Sequence, residues 1–187
     1  MTGMGTEPEP GRTLVAGVGN VFLGDDGFGV EVARLLAEKP QRDGVEIADF
    51  GIRGVHLVYE LLDGCDLFVL VDAAQHGRAP GTVTVLEVES TAMTSPSGVM
   101  DAHGLAPDQV FAMLDAMGSR PGRSLVVACE PADVSAGMGL SDQVRDALPH
   151  AVRAVEEILE QAQRLEPAQQ EEQITRKEGA DTDVHAD

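Results

Sequence analysis

The sequence predicts an α/β protein: a mostly parallel, twisted sheet of about five strands sandwiched between helices. Three observations carry that expectation. Nearly continuous apolar runs, Thr13–Val18 and Leu67–Val71 above all, have the pattern of strands buried on both faces. Stretches with a 3.6-residue apolar period alternate with those runs. Of the 187 residues 43% are hydrophobic and only 3% aromatic, which supports one sizeable aliphatic core rather than two.

The elements follow in order. Residues 1–12, MTGMGTEPEPGR, are acidic and proline-bearing and read as a flexible arm without the apolar stretch of a signal peptide. Thr13–Val18 is the first strand. A helix from about Gly27 to Glu38 places Phe28, Val32, Leu35 and Leu36 on one face. Val45–Ala48 is a short second strand, and Val55–Leu62 a short helix that stops near Asp63-Gly64. Leu67–Val71 is the third strand. Thr82–Val88 is a weaker, alternating strand suited to a sheet edge. Ser90–Asp101, rich in Ser, Thr, Gly and Met, reads as a mobile loop.

A further helix starts near Pro107, since proline is tolerated at the first helical position, and turns Val110, Phe111, Leu114 and Met117 inward. Ser124–Cys129 is the last strand. A long helix then runs from Ser141, a good N-cap, to Gln163, with Val144, Leu148, Ala151, Val152, Val155, Ile158 and Leu159 as its stripe. From Glu166 onward the chain is acid-rich and loses its apolar period. Residues 13–163 are therefore expected to form a single α/β domain and residues 164–187 an acidic disordered tail.

The formal net charge of −19 argues against nucleic acid or an anionic membrane surface as partner, because both would repel the chain. No apolar run approaches the ~20 residues of a membrane span, so the cytoplasm is the expected compartment; the chain is also expected to be a monomer. Cys65 and Cys129 lie far apart, in or beside apolar runs, and read as small buried hydrophobes rather than a disulfide or a thiolate metal site. His56, His76, His150 and His185 have no partner signal and read as surface residues.

In a doubly wound sheet, ligands bind beyond the carboxyl ends of the strands, where the strand order reverses. Polar residues just past a strand end are therefore the candidates. Asp25 and Asp26 follow the first strand in GVGNVFLGDDGFGV, and Asp72 closes the third in LFVLVDAA. If strands one and three are neighbours, Asp26 and Asp72 come together, and His103, ahead of the next helix in MDAHGL, can complete the group. Two carboxylates and one imidazole suit a divalent cation and leave coordination positions open. A helix-capping role for one of the adjacent aspartates is the competing reading, but a cap does not explain two. GVGN opens like a dinucleotide loop, yet the third glycine of GxGxxG is missing and no Lys or Arg is present. The two aspartates would also repel a pyrophosphate.

These residues stand in an order that resembles the nickel-iron hydrogenase maturation endopeptidases. GVGNVFLGDDGFG matches that family's GxGNxxxxDDGxG (or DE) motif. DFGIRGVHLVYELL matches its glycine-bearing turn before a helix, VLVDAA its apolar strand ending in Asp-Ala, and DAHGL its loop histidine. CEPADVSAGMGLS matches its Glu-Pro followed by GLS. The motifs run from about residue 13 to residue 160, essentially the whole globular part, and are specific together rather than singly.

The resemblance implies an endopeptidase that removes the C-terminal extension of the hydrogenase large-subunit precursor after nickel insertion. It implies Asp26, Asp72 and His103 as the residues that recognise nickel and serve the cut. The nickel arrives with the substrate, and no tightly bound metal of the enzyme's own is implied. Asp26 is one methylene shorter than the Glu of some members, which brings the metal closer to its loop. Supporting roles fall to Asn20 in shaping the loop or as a polar donor to the substrate, to Gly51 and Gly54 in letting the substrate backbone approach, and to Asp25 as base or helix cap. The alternatives are a non-catalytic nickel-checkpoint protein that binds the precursor, and a self-contained metallohydrolase.

Overall fold

The structure, a computed structural model, describes residues 11–88 and 107–181. Residues 1–10 of the expected arm, the expected loop Ser90–Asp101, His103 and the last six residues lie outside them. Five strands form one sheet: β1 (Thr13–Val18), β2 (Val45–Gly51), β3 (Leu67–Ala73), β4 (Val83–Glu87) and β5 (Arg123–Cys129). The order is β2-β1-β3-β5-β4. All pairs are parallel except β4 with β5, so the weakest strand by pattern is the antiparallel edge. Four helices are described: α1 (Phe28–Ala37), α2 (Gly54–Leu62), α3 (Pro107–Ala116) and α4 (Asp142–Asp181).

Alternation along the strands sorts the core into two layers. Leu14, Ala16 and Phe68 pack with Leu57 of α2 and Leu114 of α3 on one face, where Phe68 and Phe111 meet edge-on at 5.9 Å. Val15, Val69 and Val71 point to the other face, which α1 covers with the buried side chains Phe28, Val32 and Leu36. The N-terminal part of α4 lies beside α1 and buries Val144, Ala147, Ala151 and Val155.

The structure differs from the sequence expectation in several places. Met117 falls beyond the end of α3 and is 51% exposed, and Leu35 lies at the margin of the α1 stripe. Arg12 is not part of a free arm: its guanidinium donates to the carbonyls of Glu60 and Gly64 and pairs with Glu46 and Glu60. The tail expected to be disordered from residue 164 continues instead as α4 to Asp181. The chain accordingly divides into two compact units, Met1–Val155 and Glu156–Asp187, the second holding the distal part of α4.

Candidate active site

Strands β1 and β3 are neighbours, and the chain leaves them toward opposite sides of the sheet. This is the reversal point at which doubly wound folds place their ligands. Two glycines bring the first loop there. A Cβ on Gly29, in the first turn of α1, would stand 2.1 Å from the Val71 carbonyl oxygen and 2.4 Å from that of Val18. A Cβ on Gly17 would stand 2.2 Å from the Gly29 carbonyl oxygen. The start of α1 therefore rests directly on the ends of β1 and β3, and the turn before it is held over β3, the strand that ends in Asp72.

That turn is a single 3₁₀ turn, Gly24–Gly27, which carries Asp25 and Asp26. Gly19, at φ 127°, lets the chain leave β1, and its N–H donates to the Gly51 carbonyl at 3.0 Å. Asn20 shapes the loop in two ways: its N–H donates to Asp26 Oδ2 at 2.7 Å, and its side-chain Oδ1 accepts the Phe22 N–H at 3.0 Å. Gly51 ends β2 at a register shift with φ 52°, and Gly54 is the buried first residue of α2. Gly51 stands beside the Gly19 turn.

Asp26 and Asp72 do come together. Loss of hydration is the main cause that drives the Asp72 carboxyl up to about 7, and the charge of Asp26 adds to it; the Ala73 N–H, at 2.8 Å, opposes both. Burial and the neighbouring charge of Asp26 both disfavour the Asp72 carboxylate. Among the described residues no three His, Cys, Asp or Glu side chains form a complete metal cluster, and His103 lies outside those residues.

Asp25 has a different place from either role expected of it. Its side chain is fully buried and caps neither helix. Oδ2 accepts the N–H groups of Ala132 (2.8 Å) and Asp133 (2.9 Å) and the Ser141 hydroxyl (2.9 Å), while Oδ1 accepts the Ser141 N–H at 2.6 Å. Burial opposes its charge, but these donors prevail and hold the carboxyl below the usual aspartate value. Backbone bonds continue the attachment: Gly24 N–H to Gly137, Asp25 N–H to Asp133 and Gly137 N–H to Phe22, each at 2.9 Å. Asp25 thus fastens the β5–α4 loop to the loop that carries Asp26. Ser141 Oγ also accepts the Val144 N–H at 3.4 Å as the cap of α4.

Sequence reasoning missed two contributors. Glu130, buried just past β5, accepts the N–H groups of His76 (2.8 Å) and Gly77 (3.2 Å) and so orders the loop after β3. These bonds, His76 first, lower its pKa. Its signal was the Glu-Pro after the last strand. Gly29 is the other, the last glycine of GVGNVFLGDDGFG, whose packing on β3 the motif does not reveal. The cysteines offer no nucleophile: burial, with Asp25 and Glu130 nearby, pushes the Cys129 thiol up to about 11, and Cys65 is also buried and raised.

Fold and edge together define a doubly wound α/β protein whose reversal point carries an acid pair in place of a phosphate-binding loop. The family model of the hydrogenase maturation proteases (HycI) matches residues 30–160, and the chain belongs to that family. It is a peptidase with a role in hydrogenase processing. The hydrogenase expression/formation protein HupD of Rhizobium leguminosarum bv. viciae is 31% identical over 158 residues, 83% of this chain and 77% of that protein. HupM of Azotobacter chroococcum mcd 1 is 32% identical over 141 residues, covering 74% of this chain and 67% of that protein. The hydrogenase maturating endopeptidase HybD from E. coli superposes with a TM-score of 0.71 at 28% identity, over 81% of this chain and 93% of that one. No helix among the described residues is long and apolar enough to cross a membrane.

Proposed function

We propose that the chain removes the C-terminal extension of a hydrogenase large-subunit precursor once nickel has been inserted, with Asp26, Asp72 and His103 meeting nickel that the substrate carries. The observation that supports this reading is the raised carboxyl of Asp72 beside Asp26, at the reversal point of a hydrogenase maturation protease fold. Two oxygens and one imidazole nitrogen add ligands to a metal already held by thiolates without stripping it away. Holding that metal fixes the neighbouring peptide bond against the carboxyl edge, and positioning of this kind supplies several kcal/mol of a barrier. A cation there also polarises the scissile carbonyl or activates a water. The enzyme works as a cytoplasmic monomer and keeps no tightly bound metal of its own.

The test is to incubate the protein with precursor, with and without nickel, and follow subunit mass. Cleavage only with nickel is expected. Nickel-dependent binding without mass loss would make the protein a checkpoint instead. Cleavage of nickel-free precursor that stops when the enzyme is stripped of metal would make it a self-contained metallohydrolase. The variant Asp26→Asn should keep the fold and lose processing, because an amide is a much poorer cation ligand; processing at near the normal rate would remove Asp26 from the site.

A further inference from the structure

Asp26 and Asp72 come to the acid pair on separate loops, and both loops are tied to one short segment. That segment is EPAD, residues 130–133, directly past β5. The turn that carries Asp26 is held by Ala132 and Asp133. Their N–H groups donate to the Asp25 carboxylate, and the Asp133 carbonyl accepts the Asp25 N–H at 2.9 Å. The loop after Asp72 is held by Glu130, whose Oε2 accepts the His76 N–H at 2.8 Å and whose Oε1 accepts the Gly77 N–H at 3.2 Å. The Glu130 N–H donates to the Thr82 carbonyl at 3.0 Å, and its carbonyl accepts the Gly81 N–H at 2.8 Å. One residue thus closes residues 74–82 at their middle and at their end. Pro131, buried and fixed in φ, joins the two grips.

A second tie closes the frame from the other side. A Cβ on Gly81 would stand 2.5 Å from the Gln143 carbonyl oxygen, so the end of the loop rests on the first turn of α4. Ser141, the cap of that helix, gives its N–H and its hydroxyl to Asp25. Asp72 itself opens the stretch that Glu130 holds. Ala73 pairs with Cys129 in the parallel register, and the Ala74 N–H donates to the Cys129 carbonyl at 2.9 Å. The N–H that Asp72 accepts, from Ala73 at 2.8 Å, belongs to the same run. A carboxylate suits position 130 because it offers one oxygen to each of two consecutive N–H groups. An amide offers a single oxygen and turns its NH₂ toward the other donor.

We infer that Glu130 is a positioning residue for the cut: its grip on the loop after β3 sets where the Asp72 carboxyl stands relative to Asp26. The inference rests on the precursor-processing reading for what the acid pair does. A misplacement of about 1 Å in such a group costs about a hundredfold in rate, so a side chain outside the pair controls turnover.

The test uses the full chain and two variants. Glu130→Gln keeps the volume and removes one acceptor. Gly77→Val leaves Glu130 and its charge in place but puts a β-branched residue at φ 72°, which it resists, where a Cβ meets nothing within 4 Å. The Ala73 and His76 amides are followed by NMR, Kd is measured with nickel-free precursor, and kcat and KM with nickel-loaded precursor. Both variants should move the Ala73 amide and lower kcat about tenfold or more, with Kd for nickel-free precursor within about twofold. A kcat within about twofold in both variants, while the His76 amide moves, would overturn the inference and leave Glu130 as a tie of the loop alone. An Ala73 amide that moves only in Glu130→Gln would assign the shift to the lost charge and overturn it as well. If Glu130→Gln does not fold, Gly77→Val carries the same test. An unaltered protein that cuts nothing would remove the processing reading. The Ala73 amide then decides alone: movement in both variants upholds the positioning role, and stillness overturns it.

Discussion

Replacing Asp25 by asparagine keeps the shape of the side chain and removes its charge. The carboxylate accepts three backbone N–H groups and one hydroxyl at 2.6–2.9 Å. An amide whose oxygen takes the Oδ2 position keeps three of the four bonds without their charge assistance and turns its NH₂ toward the Ser141 N–H, so at least one bond is lost outright. Hydrogen bonds to a charged group contribute about 1.5–3 kcal/mol each; relief of the carboxylate's own burial offsets part, leaving a loss of about 3 kcal/mol. For a domain of this size that is a fall in thermal midpoint of roughly 10 °C. Circular dichroism melts of the two proteins measure it.

The pH dependence supplies a second reading. The folded-state pKa of Asp25 lies below its ordinary value, so its stabilisation is complete above that value and disappears as pH falls through the lowered one. The gap between the two proteins should therefore persist from about pH 7 to about pH 5 and close in stronger acid. Midpoints within 2 °C of each other at about pH 7, or a gap that widens on acidification, would refute the assignment of Asp25 as the fastener of the β5–α4 loop.

Two further outcomes follow from the site geometry. Gly29→Ala drives a methyl to within 2.1 Å of the Val71 carbonyl oxygen. It should destabilise the protein by about 1–3 kcal/mol or more, read by urea denaturation, and slow processing by lifting the acid turn; unaltered stability would contradict the close packing of α1 on β3. Asp26→Asn removes a like charge from beside Asp72, so the Asp72 carboxyl, followed by carbon NMR, should titrate below the value of about 7 it has next to Asp26. An unmoved titration would show that the two carboxylates do not face each other.

Much of this architecture is legible in local pattern. The runs TLVAGV and LFVLV are apolar because both faces of a central parallel strand are covered, so burial alone marks them as β1 and β3. The rule that ligands gather beyond the carboxyl ends of strands then singles out Asp26 and Asp72 with no coordinates at all. The tail shows the limit of such pattern. Loss of an apolar period after Glu166 reads as a tail, whereas α4 runs to Asp181, a continuation that the period does not report.

The adjacent aspartates separate most clearly what each level determines. By itself the sequence determined the strands, the glycine turn after β1, the acid pair at its end and the family to which those motifs point. It presented Asp25 and Asp26 as equals, two identical side chains on one short turn. Only the tertiary structure divided their work, bringing Asp26 close enough for its charge to act on Asp72 and burying Asp25 among donors from residues 132–141, more than a hundred positions away. The physical reason is that a carboxylate's role is set by which donors and charges surround it. Here those neighbours arrive through the packing of β5 and α4, which no local period encodes.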